Sequence, residues 1–228
     1  MSFFRLALVV AVKDLRAEFR TKEAINASLA FALVILLMFS FAFDPDSQTT
    51  REISGGLLWI VFAFAGTLIL NRSFAREIPN DCLDALIASP VPGSAFFVGK
   101  AVANYVLVFA VELIALPVFA IFNNVTTSIT QHLGQLLLVM ALGTWGMTII
   151  GTIFSALTVN IRLREVMLPM LTYPILVPAL MSAMQLTTVL VGGQPIGAEN
   201  EGSLRLLVGF DVVFTAVALV LVDTVLVG

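Results

Sequence analysis

Two long, predominantly apolar runs, Ala24 to Phe43 and Leu133 to Leu157, constrain this chain more than any motif in it. At ~1.5 Å of helical rise per residue, each is long enough to cross the ~30 Å hydrocarbon layer of a bilayer. Further stretches of that kind lie at about 53–70, 96–122, 166–191 and 206–225, so the spans are expected at about 24–43, 53–70, 96–122, 133–157, 166–191 and 206–225. Hydrocarbon offers the backbone no hydrogen-bond partner, so such runs specify helices. The expected fold class is an all-α integral membrane protein of six transmembrane helices in a single domain, 1–228, with no internal repeat and no soluble domain. With 59% hydrophobic and only 12% charged residues, and a mean hydropathy of +1.03, a soluble helix bundle is excluded.

Charge removes other classes. The net charge is -3, and the basic residues are few and dispersed near the ends of the spans, so there is no footprint for nucleic acid. A single cysteine, Cys82, rules out an internal disulfide framework and any CxxC metal or redox site. His132 is the only histidine, stands at the edge of a loop, and reads as a surface residue rather than a metal or haem ligand.

The first 22 residues begin like a signal peptide, but the apolar Leu6 to Val12 is followed by KDLRAEFRTK instead of small cleavage residues. On a helix, Phe4, Leu8, Val12, Leu15 and Phe19 form one stripe, and Arg5, Lys13, Arg16 and Arg20 take other faces. Residues 1–22 are therefore expected to lie along the bilayer interface, either as an elbow feeding the first span or as a plain anchor. Between the spans, FDPDSQTTREI, the Asn/Thr-rich NNVTTSITQ and GGQPIGAENEGS read as loops, and NIRLRE as a short basic turn carrying Arg162 and Arg164.

The second and third spans are divided by a polar break from Asn71 to Lys100, whose part from 71 to 95 is the candidate functional segment. Within it Asn80 can cap a helix of roughly three turns, Asp81 and Asp84 occupy its favourable first turn, and Pro90 and Pro92 stop it. Leu83, Leu86 and Ile87 follow i, i+3, i+4 spacing, so one stripe can rest on the membrane body while the acidic side faces water. Such a helix is suited to docking a soluble partner; the plainer alternative is a solvated loop. Most basic residues fall in the N-terminal segment, the polar break and the NIRLRE turn, leaving Arg51 and Arg205 on the other side. The positive-inside bias then places both termini, the break and Cys82 in the cytoplasm.

Few residues offer chemistry inside the membrane. Glu112, near the middle of the third span, is a candidate polar site: a proton or substrate group, or a neutral carboxyl hydrogen-bonded between helices. Asp211 and Asp223, nearer the ends of the last span, are expected to reach water or Arg205 and to be structural. Gly143, Gly146, Gly151 and Ser155, with Thr144, Thr148 and Thr152, make part of the fourth span small, and a subunit interface is the natural reading. Pro169, Pro174 and Pro178 in the fifth span free backbone carbonyls, for flexing during transport or for a packing kink.

Two stretches, RSFAREIPNDCLDALIASPVPGSAFFVGK and ALTVNIRLREVMLPMLTYPILVPAL, together resemble the B subunit of the cytochrome c maturation ABC transporter, the haem exporter permease family. The resemblance runs over nearly the whole chain. The LDALIASP segment matches an LDxLxxSP-like helix that recurs among type-2 ABC exporter permeases, and the arginine- and proline-marked second stretch points to this family in particular. The resemblance implies a type-2 exporter permease that pairs with a separate cytoplasmic ABC ATPase subunit. It would work beside a haem-handling membrane subunit and a periplasmic haem chaperone, as a homodimer in the bacterial inner membrane. ATP would act through the partner, with haem as possible cargo of the complex or with release of the haem-loaded chaperone as its output. On that analogy Asp81 to Ser89, closed by Pro90, is the coupling helix. The chain has no GxxxxGK(S/T) loop, so the ATPase has to be another polypeptide, and the chain is not itself expected to be an enzyme. It also lacks the tryptophan-rich patch and histidine pair of the haem-handling partner, which speaks against direct haem binding by this chain. The alternatives are a permease of another type-2 exporter, or a proton-coupled secondary carrier built on Glu112, for which inverted repeats would be needed. An intramembrane enzyme would need a nucleophile with a base, or HExxH, and the sequence offers neither.

Overall fold

The computed structural model describes residues 2–45, 47–77, 92–159, 161 and 163–227, with the side chains of Arg76 and of residues 223–227 excepted. Its helices are α1 (Phe3–Thr21), α2 (Glu23–Ala42), α3 (Gln48–Ser73), α4 (Gly93–Phe122), α5 (Thr126–Gln131), α6 (Leu133–Thr158), α7 (Arg164–Val191) and α8 (Glu201–Val227). Short 3-10 turns at Ala75–Glu77 and Ala198–Asn200 follow α3 and precede α8. Six of these helices, α2, α3, α4, α6, α7 and α8, are long and apolar enough to cross a membrane. The protein is a multi-pass all-α membrane protein, and no strand occurs among the described residues.

The helix ends show why the chain turns where it does. Lys22 adopts a left-handed conformation (φ 56°) and breaks α1 from α2. The buried carboxylate of Glu18 then accepts hydrogen bonds from the amides of Ala24 and Ile25 at 2.8 and 3.0 Å, satisfying two donors that the start of α2 would leave orphaned. Ser47 caps α3 by accepting from the Thr50 amide at 3.1 Å, so the helix starts within the stretch read as a loop from its sequence. NNVTTSITQ is likewise not all loop: Val125 and Ile129, four residues apart, are buried and pin the short α5 against the bundle. The last helix begins at Glu201, inside GGQPIGAENEGS.

Packing centres on α6, the most enclosed of the six long helices, which touches α3, α4, α7 and α8. Its small residues are spent inside the chain. A Cβ on Gly143 would overlap the ring of Trp59, one on Gly146 would come 2.6 Å from an Asp211 oxygen, and one on Gly151 2.5 Å from Leu70. The small face read from sequence as a subunit interface is therefore an intramolecular seam, because a helix with four neighbours needs small side chains for close approach. The α3–α7 pair is drawn together in the same way. Gly55 faces the α7 backbone at Met184 and donates its amide to the Thr188 hydroxyl at 3.2 Å. The amphipathic α1 packs along α4 and scarcely touches α2.

Candidate functional site

The coupling residues Asp81, Leu83, Asp84, Leu86, Ile87, Ser89 and Pro90, and Cys82 among them, lie outside the described residues, as does Arg162. The chain on either side of that segment is described, and it meets in one place. Glu77 closes the turn after α3, Pro92 leads into α4, and Lys100, two turns into α4, reaches back to Glu77.

Lys100 is 1% exposed, and its three ammonium protons are all used. They go to Asp14 of α1, to Glu77 and to the backbone carbonyl of Ser73 at the end of α3, each at 2.9 Å. The rings of Phe74 and Phe96 flank the ammonium at 5.0 and 5.3 Å, in cation–π contact. Lys13 bonds Glu77 at 2.6 Å and approaches Asp14 at 3.2 Å, so two cations and two carboxylates balance. One turn beyond Lys100, Asn104 donates to the Ser73 hydroxyl and to Thr152 of α6, both at 2.9 Å. Close approach of α1 to α4 is possible because Gly99 presents no side chain to it: a Cβ there would lie 2.5 Å from the Ala7 carbonyl.

The electrostatics agree with this geometry. Burial pushes the Glu77 carboxyl up, but the charge of Lys100 and the hydrogen bonds from Lys13 and Lys100 outweigh it and hold the group below its ordinary range. Burial works against the Lys13 ammonium too, yet the hydrogen bond to Glu77 and the charge of Asp14 raise it above the usual value for lysine. From sequence Lys100 counted only as a basic residue bordering a span. The signal that could have found the cluster is the pair Lys100 and Asn104, two polar residues four apart on one face of a predominantly apolar helix.

The intramembrane carboxyls are placed differently. Glu112 is 1% exposed on α4, and the Thr144 hydroxyl of α6 donates to its Oε2 at 2.5 Å; Oε1 has no partner among the described residues. Asp211, expected to reach water or Arg205, is instead 5% exposed against Gly146, with neither oxygen partnered among the described residues. Arg205 pairs instead with Glu201, one turn away on the same helix, at 2.7 Å, because i, i+4 residues are neighbours on a helix whereas Asp211, six residues on, lies on another face.

Arg164 opens α7 and borders a cleft of about 670 Å³ between α2, α3 and α7. Phe31, Phe64 and Tyr173 form its apolar wall, and Arg72, bonded to Glu23 at 2.8 Å, stands on its polar rim. The Tyr173 hydroxyl is tied to Thr67 at 2.9 Å, which holds the α3 and α7 walls together.

The family described as CcmB protein matches residues 5–224 of the chain. Among similar proteins, Heme exporter protein B of Rhodobacter capsulatus is 30% identical over 174 residues, covering 76% of this chain and 78% of the relative. Heme exporter protein B of Haemophilus influenzae is 27% identical over 208 residues, 87% of this chain and 92% of the relative. The protein of that name from Paracoccus denitrificans is 28% identical over 169 residues, 74% and 76% of the two chains.

Proposed function

Because the chain belongs to the CcmB protein family, we propose that it is the membrane permease subunit of the ABC transporter that serves haem export in cytochrome c maturation. The observation that carries this reading is the extent of the match, which takes in α1, all six long helices and the segment between α3 and α4. The chain brings no nucleotide-binding loop of its own, so hydrolysis falls to a separate cytoplasmic ATPase subunit.

In this reading the permease acts as a homodimer in the bacterial inner membrane with both termini in the cytoplasm. The amphipathic α1 lies at the interface with Phe4, Leu8 and Phe19 toward lipid; these side chains are exposed on the isolated chain. Asp81 to Pro90 docks the ATPase, and Arg162 and Arg164 mark the second cytoplasmic turn. A haem-handling membrane subunit and a periplasmic haem chaperone complete the assembly, with haem as cargo and release of the loaded chaperone as the output.

The test is copurification of the ATPase subunit with tagged permease, with permease abundance as control. Burying a leucine contributes ~1.5 to 3 kcal/mol against ~0 to 1 for an exposed ion pair, so Leu86→Asp should release the ATPase far more than Asp84→Asn. Ala85→Pro should act like Leu86→Asp by breaking the helix. Retention of the ATPase and of cytochrome c maturation in both Leu86→Asp and Ala85→Pro would reduce the segment to a loop.

A further inference from the structure

The Lys100 cluster is an unusual investment for a membrane bundle. Buried ion pairs add little net stability over apolar packing of the same volume, since desolvation offsets the attraction. What they do supply is direction: each bond holds only at a short distance and a defined angle. Here one ammonium on α4 joins two parts of the chain, α1 through Asp14, and the end of α3 with its following turn through the Ser73 carbonyl and Glu77. Asn104 extends the connection from Ser73 to Thr152 on α6, the helix around which the bundle packs.

Position makes the cluster more than a staple. Glu77 is the last described residue before the segment 78–91, and Lys100 belongs to the helix on which that segment ends. Glu77, before the segment, and α4, on which it ends, are thereby joined by the 2.9 Å hydrogen bond between Glu77 and Lys100. A displacement that shifts Glu77 relative to α4 therefore acts on this junction.

We propose that Lys100, with Asp14 and Glu77, is the positioning junction that passes movement of the ATPase-docked segment into the membrane, to α3 and α6 on one side and to the amphipathic α1 on the other. The role rests on the reading of Asp81 to Pro90 as the docking segment. Lys100 touches neither nucleotide nor cargo, and its work is to keep the two ends of the segment, α1 and the bundle moving together. A stabilising role and a transmitting role differ in what neutralisation does. Replacing all three charges at once leaves only Lys13 without its carboxylates, and that side chain is half exposed and can turn to water, so the fold tolerates the change, but the directional link is gone.

The experiment compares the complete complex in proteoliposomes with one carrying Asp14→Asn, Glu77→Gln and Lys100→Met together, and with Lys100→Arg alone. Three quantities are read: ATPase subunit retained, ATP hydrolysed, and haem-loaded chaperone released per ATP. The triple variant is expected to keep its ATPase and to hydrolyse ATP, while release per ATP falls by about tenfold, within the usual range of coupling between sites. Lys100→Arg, which keeps the charge and can donate to the same acceptors, is expected to keep most of the coupling. A triple variant that assembles and releases chaperone per ATP as the wild type does overturns the proposal. One that fails to assemble assigns the cluster to stability and overturns it equally. The docking reading fails by a different result, retention of the ATPase by Leu86→Asp, so the two failures are distinguishable.

Discussion

Trp59 on α3 donates its indole N–H to the hydroxyl of Thr187 on α7 at 2.9 Å, and both side chains are fully buried. The bond joins the two helices with the most extensive contact in the protein, and the same indole ring fills the space left by Gly143 on α6. Three helices are thus keyed to one aromatic side chain.

This arrangement makes unequal demands on its members. Gly143→Ala places a methyl group into the buried Trp59 ring, so the ring or α6 has to shift away. Overpacking of this kind costs ~1 to 3 kcal/mol. Trp59→Phe loses one hydrogen bond worth ~0.5 to 1.5 kcal/mol and also shortens the ring edge that lies against Gly143, which leaves a cavity there. The Thr187 hydroxyl can turn to a carbonyl of its own helix, as Thr67 does to Ala63 at 2.8 Å, which keeps the loss at the low end. Thermal unfolding in detergent should therefore place both variants below the wild type, and the double variant Gly143→Ala with Trp59→Phe should lose less than the sum of the two, because the methyl group enters the space that the shorter ring vacates; additive losses would refute the keyed packing.

Glu112 faces Thr144 across the α4–α6 seam. Glutamine retains an acceptor for that hydroxyl but carries no ionisable proton, so Glu112→Gln should assemble normally and sustain cytochrome c maturation at the wild-type level. Abolished maturation in a normally abundant, ATPase-bound Glu112→Gln complex would instead show a proton or substrate role, and would favour a proton-coupled carrier.

Topology is testable through the one native thiol. The basic residues cluster at alternate ends of the spans, so Cys82 is expected in the cytoplasm and the short α5, with its exposed Thr127, on the opposite face. A membrane-impermeant thiol reagent on spheroplasts should leave Cys82 unlabelled and should label Thr127→Cys. Labelling of Cys82 in sealed spheroplasts would invert the orientation.

The six membrane helices could be read from the chain because crossing a bilayer is a local requirement: length and apolarity of one run decide it, whatever the rest of the chain does. The run 24–43 and the helix Glu23–Ala42 differ by a residue at each end for that reason. The amphipathic character of α1 was legible on the same grounds, since the stripe from Phe4 to Phe19 depends only on helical period. Partner choice was not legible. Gly143, Gly146 and Gly151 announce a close approach, but whether it is made by another copy or by Trp59, Asp211 and Leu70 of the same chain depends on how helices far apart in sequence are arranged. Asp211 lies against Gly146 of α6, which only the tertiary packing decides, whereas the pairing of Arg205 with Glu201 follows from i, i+4 spacing on one helix. Lys100 is the sharpest case. Its charge and its place near the end of a span are properties of the sequence, whereas its burial between Asp14, Glu77 and the Ser73 carbonyl requires α1 to fold back along α4, a contact between residues 86 apart that no local pattern specifies.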